Sequence, residues 1–475
     1  MSTRELPSRP NLEQYKKQAK DLLRDHGLGI ADALARIKRH HPRLHKLAEP
    51  EIQGAHFSLT DAQLVIAREH SFESWPKFAK HIEMIRLVES VASLADPVSA
   101  FIEVACVPRH SGHGSGTLDH PEMILSRYPH VAGANIYTAA ILADERRVRD
   151  FLSRDPNSAT AKGGPHGWDA LTHLCFSRYL RIDRSRSKAF VRTARALLDA
   201  GASANTGWFE MIDHPTPRPT FESVIYGAAG IAQNPELTRL LLEYGADPND
   251  EETAYHVAEG YDNAVTKILL ESGRFNDQSL ACVLVRKCDW HDIAGIRLAL
   301  EYGANPGALT RWGATTLHHA LRRDNSLQIV ELLLDHSADP FLLNGDGISA
   351  ISIAARRGRG DVLRMLEKRG IDLKLRGDDE LIGACAKNDR VAIDELTSRE
   401  PGLVEQLVED GGTLLAQFAG TGNVEGLRCL LDLGVRPDAL YATGDLYFDI
   451  AKNSTALHVA AWRAWPAAVK ELLQR

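Results

Sequence analysis

Short runs of Leu or Ile, each closed by a polar residue and a small glycine turn, recur along most of this chain. The run reads Leu197-Leu198-Asp199-Ala200-Gly201-Ala202 and returns in full as Leu240-Leu241-Leu242-Glu243-Tyr244-Gly245-Ala246-Asp247-Pro248-Asn249. Partial copies run from Ile268 to Gly273, Leu300 to Pro306, Leu332 to Pro340, Leu366 to Gly370 and Leu430 to Gly434. The turn positions 273, 303, 337 and 370 stand 30, 34 and 33 residues apart. Such a run predicts an amphipathic helix whose last carbonyls are capped by a residue in the left-handed region. The Asp/Asn-Pro that follows starts a turn and forbids the helix from continuing. A second phrase lies about 20 residues ahead of the first: Gly313-Ala314-Thr315-Thr316-Leu317-His318-His319-Ala320. It is degenerate at Thr253 to Ala258 and clear again at Thr455-Ala456-Leu457-His458-Val459-Ala460-Ala461. Its Thr opens a first helix, and its Leu and Ala faces are small enough for close stacking. Together the two phrases predict an all-α array of helix pairs in which each unit contacts only its neighbours.

Residues 1–95 follow a different pattern. Asn11 is placed as the N-cap of a helix, with Gln14 reaching back to it, and Leu12, Tyr15, Ala19, Leu22 and Leu23 form one apolar stripe. Gly27-Leu28-Gly29 breaks that helix; a second runs from Ile30 to about His40, a third opens at Thr60-Asp61-Ala62-Gln63, and a fourth opens at Ser74-Trp75-Pro76. The organisation expected is a helical N-terminal domain over 1–95, divergent helical repeats over 96–164, and the repeat array proper over 165–475. Two insertions break the period. Residues 203–218 extend the finger between two units, and 181–190 lengthen the link between two helices. Insertions of this kind fall on one face of an array, often the binding face.

Composition narrows the function. Of 475 residues, 44% are hydrophobic and 25% charged, a globular balance. The net charge of -7 argues against nucleic-acid binding by the whole chain, which needs a basic footprint. The charge is uneven: residues 1–50 hold eleven Lys/Arg against six Asp/Glu. Solvated basic helix faces explain that excess, and a docking surface for an acidic partner is the alternative. Met1 to Pro10 lacks the apolar core of a secretory signal, and no run of 18 apolar residues suggests a membrane span. Six cysteines, dispersed and without a C-x-x-C pair, fit reduced thiols in a cytoplasmic protein.

The second phrase resembles the T-P-L-H-x-A signature of ankyrin repeats, whose period is about 33 residues with a β-turn and two helices per unit. The resemblance is clear from 165 to 475 and weaker over 99–164, where Asn135 to Ala140 and Val148 to Leu152 look like a divergent unit. Leu6-Pro7, Leu12-Glu13-Gln14, Lys17 to Leu23, Leu59 and Trp75-Pro76-Lys77 resemble the N-terminal segment of a class of bacterial ankyrin-repeat proteins. The likeness implies a solenoid whose fingers and first helices line a concave groove for a protein partner, in a bacterial cytosol, with no cofactor and no reaction assigned.

Two sets of residues are candidates for chemistry or recognition. Cys106, His110, His113 and His120 could supply a tetrahedral zinc set, and with it a metal-dependent hydrolase. Their spacing fits no familiar zinc module, and a Gly/Ser-rich loop that happens to carry histidines explains them as well. Gly112 to Gly116 completes neither G-x-S-x-G nor G-x-G-x-x-G, and the chain holds no G-x-x-x-x-G-K-[ST] or H-E-x-x-H. The repeated His reads as a structural group linking adjacent repeats. Trp168, Trp208 with Phe209, and Arg311-Trp312 fall in fingers ahead of first helices, and Trp462 ends the last such helix. Trp and Arg are enriched among interface hot spots, so these residues are the expected partner contacts, with indole packing against a neighbouring finger as the structural alternative. The final Leu472-Leu473-Gln474-Arg475 closes a second helix without a glycine turn, which suggests either association through that last repeat, as with a second copy, or a truncated chain.

Overall fold

The computed structural model describes residues 5–7, 9–110, 112–212, 217–409 and 411–475. Part of the Met1–Pro10 segment and the tip of the 203–218 insertion therefore lie outside the described residues. The chain divides into two compact units, 1–173 with 177–182, and 174–176 with 183–475.

The first unit begins with the helices Leu12–Gly27, Ala31–His40, Glu49–Gly54, Leu59–Glu69 and Trp75–Ala92. Tyr15, Ala19 and Leu22 from the expected stripe pack with Leu34, Ile37, Ile52, Val65, Ile66 and Phe78 in one core, with Leu12 and Leu23 at its edge. Local chemistry sets the ends. Asn11 caps the first helix, but through the Glu13 amide at 3.0 Å. The third expected helix starts one residue earlier than Thr60, because Ser58 and Asp61 form the reciprocal capping box. Ser74 caps the last, with Pro76 in its first turn. Shorter helices follow at Pro97–Ala105, Asp119–Arg127, Ile136–Ile141 and Glu145–Arg154.

The second unit is a ladder of helix pairs. The second helices of successive units, Ser187–Asp199, Pro235–Glu243, Ala264–Glu271, Ile293–Glu301, Leu327–Asp335 and Gly360–Lys368, each pack on the next. The first helices do the same along Glu252–Val257, Asp277–Asp289, Thr316–Arg322, Ala350–Arg356 and Asp378–Lys387. The expected turn positions all take positive φ: Gly201 at 98°, Gly245 and Gly303 at 89°, Gly273 at 63°, Gly370 at 76° and Gly434 at 105°. Ser337 holds the same conformation at 68° without the freedom of glycine. Close stacking is visible at Gly360, where a Cβ would stand 1.9 Å from the Ala386 carbonyl oxygen.

Two short ribbons interrupt the otherwise helical array. The 203–218 insertion belongs to an antiparallel ribbon, β1 (Gly207–Ile212) with β2 (Arg218–Ser223), in which Trp208 faces Glu222 and Phe209 faces Phe221. A second, two-residue ribbon, β3 (Leu440–Tyr441) with β4 (Ser454–Thr455), closes the finger before the last helix pair. Residues 181–190 fold as a helix end, a short 3-10 turn at Arg184–Arg186 and the start of Ser187–Asp199. No helix among the described residues is long and apolar enough to cross a membrane.

Candidate functional site

The repeated histidine carries structure. His318 Nε2 must donate to the Ile348 carbonyl at 3.0 Å, which leaves Nδ1 to accept from Thr315 Oγ1 at 2.6 Å. The ring thus ties the start of one first helix to the finger of the next unit. His458 repeats the bond to Thr455 at 2.8 Å. His256 departs from it and sits between Glu252 and Glu259, each at 3.2 Å. Burial opposes its charge, but the two carboxylates outweigh that and raise it to about 9.

The tryptophans separate into buried and exposed. Trp168, 3% exposed, stacks on His166 at 4.4 Å and lies 5.4 Å from His173. Trp208, 7% exposed, meets Phe176 edge-on at 5.8 Å. Neither indole is available to a partner, which corrects their expected role: each is the apolar anchor of its own finger. Strand alternation explains the contrast within the ribbon. Trp208 and Glu210 point inward, whereas Phe209 and Met211 point to solvent, with Phe209 5.1 Å from Phe221.

Arg311 and Trp312 do come together at an open surface. Trp312 is 46% exposed, and the Arg311 guanidinium lies 4.9 Å from its ring centroid. Arg311 also pairs with Glu251 at 2.7 Å and faces Tyr255 at 5.8 Å. Arg286 covers Tyr255 at 3.9 Å, so this tyrosine stands between two guanidinium groups. The ribbon joins through Arg218, 3.4 Å from Glu251. Of these groups, Glu251, Arg311 and Trp312 border a cleft of about 450 Å³ between neighbouring fingers. Its walls include exposed Leu309, Asn276, Asp277 and Cys282. Burial, partly offset by Arg311 and Arg286, pushes the Cys282 thiol up to about 11, which keeps it in the protonated form near neutral pH. The mix of an exposed indole, an aliphatic tip, a fork of donors and short acidic side chains suits recognition of a polypeptide surface.

Tyr255 occupies the place of Leu in the repeat phrase, and that substitution marks the aromatic ring that Arg286 and Arg311 approach beside the cleft. Leu309 and Glu251 carry no comparable mark. Trp462 lies elsewhere: it is largely exposed, and its Nε1 donates to the Phe448 carbonyl at 2.7 Å.

Among the described residues, no three of Cys106, His110, His113 and His120 converge to ligating distance. Cys106 is fully buried at the end of Pro97–Ala105, where burial drives its thiol well above the usual range, while His110 is exposed. Arg181 donates to the carbonyls of Ser115 and Gly116 at 3.0 and 2.9 Å, pinning the loop between them.

Residues 284–376 match the family model described as ankyrin repeats in three copies. A probable E3 ubiquitin-protein ligase from Oryza sativa subsp. japonica is 37% identical over 76 residues, 16% of this chain and 15% of that protein. An ankyrin repeat and LEM domain-containing protein 1 homolog from Caenorhabditis elegans is 43% identical over 72 residues, 15% of this chain and 10% of that protein. The B-cell lymphoma 3 protein homolog of Mus musculus is 25% identical over 181 residues, covering 36% and 40% of the two chains. The chain thus spans only a minor part of each of these relatives. Among solved structures, the human ASB11 ankyrin repeat domain aligns over 46% of this chain and 89% of its own length, at 20% identity and a TM-score of 0.34. The Bcl-3 ankyrin repeat domain aligns over 41% and 86%, at 24% identity and the same TM-score.

Proposed function

We propose that the ankyrin repeats of this chain form a binding array that holds a protein partner at the Trp312 cleft, and that its work is recognition and not catalysis. The observation that carries this reading is the half-exposed Trp312 stacked by Arg311 on the rim of a cleft of about 450 Å³. Trp and Arg placed together beside a pocket are the residue types that most often dominate protein interfaces. Glu251 holds Arg311 in place, so little side-chain freedom remains to be lost on binding. In this reading residues 1–95 form a helical N-terminal domain, 96–164 divergent repeats and 165–475 the array. A cytoplasmic setting is supported by the buried thiols of Cys106, Cys288, Cys385 and Cys429.

Affinity capture from native lysate tests the proposal with three proteins: wild type, Arg311→Ala/Trp312→Ala, and Val391→Ala as an exposed control. A polypeptide retained by wild type and control and lost from the double variant supports the cleft. Partners captured equally by all three sink it.

A further inference from the structure

The finger between β3 and β4 is long, and its tip lies against helices far away in sequence. Tyr447 Oη donates to the Asp289 carbonyl at 2.6 Å, across 158 residues of chain. The Arg323 guanidinium covers the Tyr447 ring at 3.9 Å. Arg463 covers Phe448 at 3.7 Å, and Arg357 faces the same ring at 5.4 Å. Asp445 completes the set, 3.7 Å from Arg357. The tip therefore seats an acid and two aromatic rings on three guanidinium groups. Asp289, Arg323 and Arg357 sit at the C-terminal ends of three consecutive first helices, Asp277–Asp289, Thr316–Arg322 and Ala350–Arg356.

The tip is a turn closed by its own backbone bonds, and its Phe448 carbonyl accepts from Trp462 Nε1 at 2.7 Å. Asp445 and Ile450 exchange backbone hydrogen bonds at 3.0 and 2.8 Å. The Asp445 carboxylate accepts from the Tyr447 amide at 3.1 Å, and Leu446 stands 98% exposed at the apex. The base is anchored where Tyr441 and Ile450 pack with Ala416 and Val459, and Phe448 packs against the edge of that cluster. The Arg side chains have other partners that hold them in position without the tip: Asp289 pairs with Arg323 at 2.8 Å, and Asp324 pairs with Arg357 at 2.6 Å and Arg463 at 3.1 Å. The receiving surface thus remains organised when the tip leaves.

We infer that the Arg323–Arg357–Arg463 surface is a second docking site, for a protein segment bearing an acidic residue followed two positions later by an aromatic pair, and that the 445–450 turn occupies it as a built-in competitor. The chemistry of the occupant is read from the tip itself. Guanidinium faces accept aromatic rings, and the Arg357 charge accepts a carboxylate. A tethered occupant competes at a millimolar effective concentration, so a segment of equal intrinsic affinity binds weakly until the turn is displaced. This site is independent of the Trp312 cleft.

The test uses the full chain and a fluorescent, head-to-tail cyclised peptide of residues 443–451 as the probe. Anisotropy titrations compare wild type, Tyr447→Ala/Phe448→Ala, and the double variant with Arg323→Ala added. Binding at least tenfold tighter to the double variant than to wild type, and lost on adding Arg323→Ala, is the expected result. Equal binding to wild type and double variant, no binding to either, or a gain that survives Arg323→Ala overturns the inference. Far-UV circular dichroism and melting confirm that the variants are folded. If the double variant is not, Tyr447→Ser, which removes only the Asp289 bond and the Arg323 face, gives the same comparison. Trp312→Ala leaves peptide binding unchanged in every background, which keeps failure here distinct from failure of the cleft.

Discussion

Replacing Asp324 by Asn removes one charge from an enclosed ion pair of the array without changing the size of the side chain. Asp324 grips Arg357 through both oxygens, Oδ1 to Nε at 2.6 Å and Oδ2 to Nη2 at 2.7 Å, and Oδ2 also reaches Arg463 at 3.1 Å. Both Asp324 and Arg357 are buried to below a tenth exposure. Burial works against the Arg357 charge, and Asp324 more than restores it. Removing one partner of such a pair strands the other, at a typical cost of about 3–5 kcal/mol. Asn keeps one acceptor, and Asp445 remains 3.7 Å from Arg357, so the low end, about 3 kcal/mol, applies. Asn is also the right probe for the backbone. Residue 324 has φ of 53°, a conformation Asn tolerates as well as Asp, whereas Ala would add strain. Because repeat arrays open in sections, the assay is amide hydrogen exchange along Thr316–Arg322 and Ala350–Arg356, with a thermal melt beside it. A loss of about 3 kcal/mol corresponds to exchange roughly a hundredfold faster in those helices. Arg357→Met in the same background recovers much of the loss, since the stranded charge is then gone. Exchange within fivefold of wild type for Asp324→Asn would refute the argument.

The ribbon makes two further predictions. Trp208→Ala costs about 3–5 kcal/mol in a urea melt, as expected for an emptied indole site, while Phe209→Ala on the solvent face stays within about 0.5 kcal/mol; equal losses would mean the strand faces are assigned wrongly. Glu222 lies buried on the Trp208 face, and burial, then the charges of Glu252, Glu210 and Asp250, raise its carboxyl to about 8 against the opposing effect of His256. The folded state therefore keeps a proton that the unfolded chain releases near an ordinary carboxylate pKa of about 4.3. Stability from this group is full below that value and falls as pH rises through about 8, with a ceiling near 5 kcal/mol by roughly 1.4 kcal/mol per pH unit. Glu222→Gln should melt higher than wild type at pH 9, with the gap closing at pH 5, and a gap independent of pH would contradict the assignment.

What the sequence reveals follows from how locally each feature is determined. The helix pairs are legible because the Gly turn, the Leu run and the Thr cap act within a few residues, and each turn position they mark takes positive φ. The ribbon is hidden because its buried face carries Glu210 and Glu222 beside Trp208, while its exposed face carries Phe209 and Met211. Alternation of polarity, the usual strand signal, is thereby scrambled. The same inversion explains why Trp208 is read from sequence as an exposed contact. At the Trp312 cleft, Arg311 and Trp312 are adjacent in the chain and were therefore accessible as a pair. Glu251 lies 60 residues away and joins them only through stacking of fingers, which no local pattern reports.

Guanidinium groups approach aromatic rings both at Tyr255 and at Tyr447, and the backbone distinguishes the two pairings. Tyr255 belongs to a first helix, Glu252–Val257, and its ring is approached by both Arg286 and Arg311. It lies beside the cleft, with Trp312 at 6.2 Å. Tyr447 belongs to a turn closed by Asp445 and Ile450, with its anchor at Tyr441. Its ring can withdraw while β3, β4 and every helix keep their hydrogen bonds. A contact that can be broken without loss of secondary structure is available for exchange with a competing ligand at the cost of the contact alone. On that ground the Trp312 cleft is a preformed surface, and the three-arginine surface is one whose occupancy can change.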